Sequence, residues 1–152
     1  MATAILGGLR RQGVPASQFL VVEPLASQRD KLATEWGVMA LPEADASLTQ
    51  AEVVVWAVKP QLFAQAALPC APHVGGALHL SIMAGIRSDA VVAATGSPQV
   101  IRAMPNTPAL VGRGISGLYA REAVSATQRA QVQTLLAPTG RTLWVAHEAD
   151  LD

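Results

Sequence analysis

The sequence predicts an α/β domain built on a doubly wound parallel sheet. Three observations carry this. Short β-branched runs alternate with Ala-rich stretches of helical period. One run, Val53-Val54-Val55-Trp56-Ala57-Val58, is apolar on both faces, as a central strand covered on both sides must be. Prolines 15, 24, 60, 69 and 105 fall between the periodic segments, where a residue without an N–H belongs.

Taken in order, the chain opens on an apolar helical pattern, Ala2, Ile5, Leu6 and Leu9, with no strand and no capping residue before it. Residues 19–22 read as a strand, closed by Glu23-Pro24. Ser27 and Asp30 have the spacing of a capping box and open a helix on which Leu32 and Trp36 share one face. Residues 53–58, 77–82 and 100–103 supply three further strands. Ser125 and Gln128 form a second capping pair, and a polar segment, 148–152, closes the sequence. Sheets of this type normally begin with a strand and a Gly-rich turn that feeds the first helix. The expectation is therefore a Rossmann-like sheet truncated at its first strand, a partial domain over residues 1–152. Such a chain is expected to aggregate unless another chain fills the gap.

Composition narrows the function classes. Of the 152 residues 51% are hydrophobic and 14% charged, which excludes disorder. Eleven Lys and Arg balance eleven Asp and Glu, which argues against a nucleic-acid surface. Cys70 is alone, as suits a reducing cytosol, and no uncharged apolar run is long enough to cross a membrane. Arg10 and Arg11 follow the apolar start, the reverse of a secretory signal, so the expected location is cytoplasmic. His73, His79 and His147 have no ligand spacing, and no metal site is expected. The carboxylates are scattered, no G-x-S-x-G elbow is present, and no catalytic residue is assigned.

Ligand chemistry concentrates at strand ends instead. Gly7-Gly8 reads as a site of close helix packing. Ala57-Val58-Lys59-Pro60 ends the most hydrophobic strand, at the edge where open α/β sheets bind ligands. Alone, Lys59 reads as a solvated strand terminus. Ser81-Ile82-Met83-Ala84-Gly85-Ile86 ends the next strand with small residues whose backbone suits a flat ring. Met104-Pro105-Asn106-Thr107-Pro108 follows the third, its prolines bracing a loop that displays the Asn106 amide and the Thr107 hydroxyl. Three strand ends on one rim define a binding crevice.

These segments, with Met1-Ala2-Thr3-Ala4-Ile5-Leu6-Gly7-Gly8-Leu9 and the stretch from Ile101 to Val111, together strongly resemble the amino-terminal dinucleotide-binding domain of pyrroline-5-carboxylate reductase. The resemblance runs essentially end to end. It implies NAD(P)H as cofactor, 1-pyrroline-5-carboxylate as small-molecule substrate, and reduction to proline in amino-acid biosynthesis. The cofactor rim it implies comprises Ala57, Val58, Lys59 and Pro60, then Ile82, Met83 and Ala84, with Asn106 and Thr107 beside the nicotinamide. Against the family pattern, the first strand with its Gly-rich turn and the carboxy-terminal helical, dimer-forming domain are lacking. A homo-oligomer is expected only of the complete enzyme, and the isolated chain is expected to be inactive. Met83 stands where the family has a smaller residue, which is expected to narrow the nicotinamide pocket. Glu23, with Pro24, stands where Rossmann domains read the adenosine ribose, and a carboxylate there favours NAD over NADP. The competing expectation for Glu23 is solvent exposure or a pair with Arg29. The rival functional reading is a non-catalytic α/β binding module.

Overall fold

The computed structural model describes residues 1–152. Its main elements are α1 (Ala2–Arg11), α2 (Ala26–Trp36), β1 (Val53–Trp56), α3 (Phe63–Val74), β2 (Leu78–Ser81), α4 (Ser88–Thr95), β3 (Val100–Met104), β4 (Gly114–Ala120), α5 (Ala126–Leu136) and β5 (Gly140–Trp144). The five strands form one sheet in sequence order, β1 to β5. The pairs β1–β2, β2–β3 and β4–β5 are parallel, and β3–β4 is antiparallel. The predicted all-parallel sheet is thus mostly parallel. The link from Met104 to Gly114 holds only a 3-10 turn, too little for the crossover a parallel return requires.

Helices cover both faces, as the two-sided apolarity of β1 requires. On one face α1 and α5 bury Ile5, Leu9, Val132 and Leu136 against Leu78, Leu80, Ile101, Ala103 and Leu118. On the other, α3 and α4 bury Phe63, Ala67, Cys70, Val74 and Val91 against Trp56 and Val100. Fully burying each such side chain stabilises the fold by about 1.5–3 kcal/mol. Gly7 and Gly8 are helix-packing positions: a Cβ on Gly7 would stand 2.7 Å from the Trp36 ring, and one on Gly8 would collide with Pro138.

Four local expectations are corrected. Residues 19–22 do not form a full strand; Val22 makes only an isolated parallel bridge to Leu41, because no strand pairs with its other side. Ser27 does not cap α2, which starts at Ala26 with Leu25 in the capping position. There the Leu25 N–H donates to the Glu23 carboxylate at 3.0 Å, and no side chain caps the helix itself. Pro69 lies inside α3, as does Pro72, and both are exposed, so the carbonyls they leave unbonded can turn to water. β4 and β5 add two strands that the sequence pattern does not announce, because Gly112, Gly114, Gly117 and Gly140 dilute it. Gly140, at φ +128°, is required where it stands, since a Cβ there would overlap the Gly114 backbone. The Ser125–Gln128 capping box is present with both of its hydrogen bonds.

Candidate dinucleotide site

Three neighbouring parallel strands deliver their carboxyl ends to one edge. Trp56 pairs with Ser81, and Ser81 with Arg102, so the loops that follow emerge side by side. The first carries Ala57 and Lys59, both exposed, with Val58 leaning on the α3–α4 core. Lys59 caps the 3-10 turn Pro60–Leu62, its carbonyl accepting from the Leu62 N–H at 2.8 Å. The Lys59 ammonium makes no ion pair, which leaves its charge available to a ligand. Pro60 fixes this turn and walls a shallow apolar groove of about 500 Å³ shared with Phe63, Ile86 and Ala90.

The second loop holds Ile82, half-buried against the α1–α5 core, then Met83 and exposed Ala84. Met83 is only 2% exposed and packs in the cluster of Trp56, Phe63 and Val91. Its side chain therefore does not narrow the rim as expected; the alternation along the strand end turns it into the core. Its N–H donates to the Ser81 hydroxyl oxygen at 3.3 Å. In the third loop the Asn106 Oδ1 accepts from the Ile115 N–H at 3.0 Å, which ties the loop to the start of β4. The Asn106 NH₂ and the exposed Thr107 hydroxyl make no hydrogen bond within the chain.

Glu23 and Pro24 stand outside this register, since Val22 bridges Leu41 and not β1. Arg29 donates to the backbone carbonyls of Glu23 and Pro24 at 2.9 and 2.8 Å and does not pair with the carboxylate. The N-terminus of α1 has no side-chain cap and no acidic residue in its first turn, so its first N–H groups suit an anion. Small exposed residues at strand ends, one free ammonium and an uncapped helix N-terminus together fit a nicotinamide dinucleotide. None of these positions could hold a metal, and no cluster of three metal-ligating side chains exists.

His79 reads from its strand-like run as a satisfied core or edge histidine, and the structure bears this out, but the partners of two buried polar groups escaped sequence reasoning. The Trp56 Nε1–H donates to His79 Nδ1 at 2.9 Å, which leaves the His79 Nε2–H to donate to the Val74 carbonyl, also at 2.9 Å. The rings stack with 10° between their planes. Burial pushes the His79 pKa down, against the opposing pull of the Val74 bond. The second group joins Arg102, Glu148, Ser88 and Asp152. A charged residue between Ile101 and Ala103 in an apolar run was the available signal for the second.

A mixed Rossmann-like sheet whose strands β1 to β3 end side by side at one edge has the architecture of dinucleotide-binding domains. Residues 1–85 match the model of the family described as NADP oxidoreductase, coenzyme F420-dependent, and the chain belongs to that family. Over its whole length it is 43% identical to the pyrroline-5-carboxylate reductase of Pseudomonas aeruginosa and, over 99% of it, 40% identical to that of Haemophilus influenzae. The chain spans 56% of the length of each of these relatives. Among solved structures it resembles the pyrroline-5-carboxylate reductase of Coxiella burnetii, with a TM-score of 0.92 at 26% identity over 99% of this chain and 57% of that one. The Plasmodium falciparum enzyme with NADP bound shares the fold, at a TM-score of 0.81 and 20% identity over 98% of this chain and 55% of that one. The resemblance drawn from the strand-end motifs is borne out.

Proposed function

We propose that this chain is the nicotinamide-binding part of a pyrroline-5-carboxylate reductase, a partial domain whose substrate-contacting, dimer-forming helical part lies in the remainder of the relatives' length. The observation that carries this is the Trp56–Ser81–Arg102 register, which sets the three motif-bearing loops side by side. A bound reduced nicotinamide supplies the hydride that converts the imine of 1-pyrroline-5-carboxylate to proline. The chain's own part is positioning. Backbone at Ala57–Val58 and Ile82–Ala84 gives a flat seat, Lys59 offers positive charge, and the Asn106 NH₂ and Thr107 hydroxyl are free to orient a polar ring substituent. The rim holds no carboxylate or histidine to serve as a general acid, and a protonated imine, already electrophilic, requires none.

The test pairs binding with turnover. NADH and NADPH are titrated into the chain, and energy transfer is followed from Trp56, next in sequence to the rim. Steady-state reduction of 1-pyrroline-5-carboxylate is then assayed. Saturable transfer that Trp56→Phe weakens, with Trp36 and Trp144 as the remaining donors, and turnover well below about 1 s⁻¹ from the chain alone are expected. Absence of binding for both nucleotides at millimolar concentration would favour the non-catalytic module.

A further inference from the structure

Residues 82–87 link β2 to α4 and carry part of the proposed nicotinamide seat. Their own backbone holds them weakly. The Ile82 N–H donates to the Trp56 carbonyl and the Met83 N–H to the Ser81 hydroxyl. The N–H groups of Ala84, Gly85, Ile86 and Arg87 have no partner within the chain, and Gly85 turns the loop at φ +74°. The shape of such a loop is set by its anchors. At its start the anchor is Met83, buried beside Trp56 and Phe63.

At its end the loop has no anchor of its own, since Arg87, in the capping position of α4, offers that helix no side-chain acceptor. Glu148, 60 positions beyond Ser88, supplies one. Its Oε1 accepts from the Ser88 N–H at 2.6 Å and its Oε2 from the Ser88 hydroxyl at 2.7 Å. Ser88 is fully buried and Glu148 is 9% exposed. A carboxylate on the first N–H of a helix is favoured by the helix dipole, and hydrogen bonds to an ionised acceptor are the stronger kind. Arg87 Nη2 stands 3.7 Å from the same Oε2, and Arg102 Nη1 donates to Oε1 at 3.1 Å. Ser81 and Arg102 are paired residues of β2 and β3. Both ends of the loop are thus tied to one row of the sheet, the start through Ser81 and the end through Glu148 on Arg102.

We infer that Glu148 is a positioning residue for the nicotinamide ring, a role that rests on the rim being the nicotinamide site. Acting through Ser88 and Arg87, its carboxylate fixes the course of residues 82–87 and with it the backbone seat at Ile82–Ala84. A ring displaced by about 1 Å can lose about 100-fold in transfer rate, so a seat made of unbonded backbone needs such an anchor.

The experiment compares dissociation constants for NADH and for ADP-ribose, the same molecule without its nicotinamide, on the folded chain well below its melting temperature. Glu148→Gln keeps an acceptor for the Ser88 N–H but loses the charge and the second carboxylate oxygen. Ser88→Ala removes only the hydroxyl, keeps the ion pairs, and carries the test by itself should Glu148→Gln unfold. Val132→Ala, buried under α5 on the opposite face, is the control for lost stability alone. The parent is expected to bind NADH more tightly than ADP-ribose, and both Glu148→Gln and Ser88→Ala to cut that preference at least threefold with ADP-ribose unaffected. Amide order parameters at Ala84 to Ile86 should fall from about 0.85 to below about 0.6 in the same two variants. Val132→Ala should change neither. Equal losses for both ligands, an unchanged preference, or the same change in Val132→Ala would overturn the role of Glu148 while leaving the rim as the nicotinamide site. Absence of shifts at Ala57, Lys59 and Ala84 of the parent with either ligand would overturn both.

Discussion

Arg102, in the middle of β3, donates from Nη1 to Glu148 Oε1 at 3.1 Å, and both side chains are buried. The same carboxylate accepts from the Ser88 N–H at 2.6 Å and the Ser88 hydroxyl at 2.7 Å, and Arg102 Nη2 reaches Asp152 at 3.3 Å. Arg87 adds ion pairs of 3.7 Å to both Glu148 and Asp152, so a cluster of four charges fastens the 3-10 turn Glu148–Leu151 to the sheet and to the start of α4. Removing Arg102 takes away the buried cation and leaves Glu148 only the more distant, exposed Arg87. Arg102→Leu is expected to cost about 3–5 kcal/mol of unfolding free energy, and the double change with Glu148→Gln less than the single. Urea denaturation of the three chains decides this; a loss below about 1 kcal/mol for Arg102→Leu would contradict the pair's structural role. Burial raises the Glu148 pKa, but the Ser88 bonds and Arg102 outweigh it and hold the carboxyl below its usual range. A depressed acid stabilises above its unfolded pKa, so this contribution is expected to fade as pH falls below about 4.5.

His79 gives a second pH dependence at milder acidity. Its folded pKa lies below the ordinary 6.5, so the unfolded chain binds the proton first. Stability is therefore complete above about pH 6.5 and declines as pH falls below it. Protonation also converts Nδ1 into a donor facing the Trp56 N–H. Melting temperatures between pH 5 and 7 are expected to slope in the parent and flatten in His79→Gln, whose amide oxygen can still accept from Trp56. Parallel slopes in both chains would remove His79 from the account.

Met83 separates core from rim. Because it is buried among Trp56, Phe63 and Val91, Met83→Ala is expected to lose about 2–5 kcal/mol of stability. Nucleotide affinity in the folded fraction should be unchanged. Tighter nicotinamide binding with unaltered stability would instead return its side chain to the pocket.

Glu23 is expected to set cofactor preference. A carboxylate about 5 Å from a 2′-phosphate repels it by about 3 kcal/mol at an effective dielectric of 20, which solvent screening reduces to about 1–2 kcal/mol. NADH should bind more tightly than NADPH, and Glu23→Ser should move the ratio of dissociation constants about 5- to 30-fold toward NADPH. The Leu25 N–H already engages this carboxylate, so an unmoved ratio would show that holding the turn before α2 is its whole role.

The sequence showed the strand-end loops clearly because each is written locally: an apolar run, then small residues or proline, as in Trp56 through Pro60. The helices α1 and α5 were legible for the same reason, one by period and one by its Ser125 cap. What escaped depends on distant partners. Residues 19–22 carry strand-forming side chains but lack the neighbour that makes a strand. β4 exists through pairing with Met104 and its neighbours and with Gly140, which no pattern around Ile115 announces. His79 and Arg102 looked like isolated polar residues in apolar runs; their partners Trp56 and Glu148 stand 23 and 46 positions away.

The central claim is that the edge formed by the carboxyl ends of β1 to β3 holds the nicotinamide dinucleotide. Amide and side-chain shifts of the isotopically labelled chain, recorded during NADPH and NADH titration, test it most directly. Saturable shifts are expected at Ala57, Lys59, Ala84 and the Asn106 side-chain NH₂, and Lys59→Ala with Thr107→Ala should weaken binding at least fivefold without lowering the melting temperature. Shifts confined to the Arg10, Arg11 and Trp36 groove at the far end of α1, with the three loops unmoved, would contradict the claim.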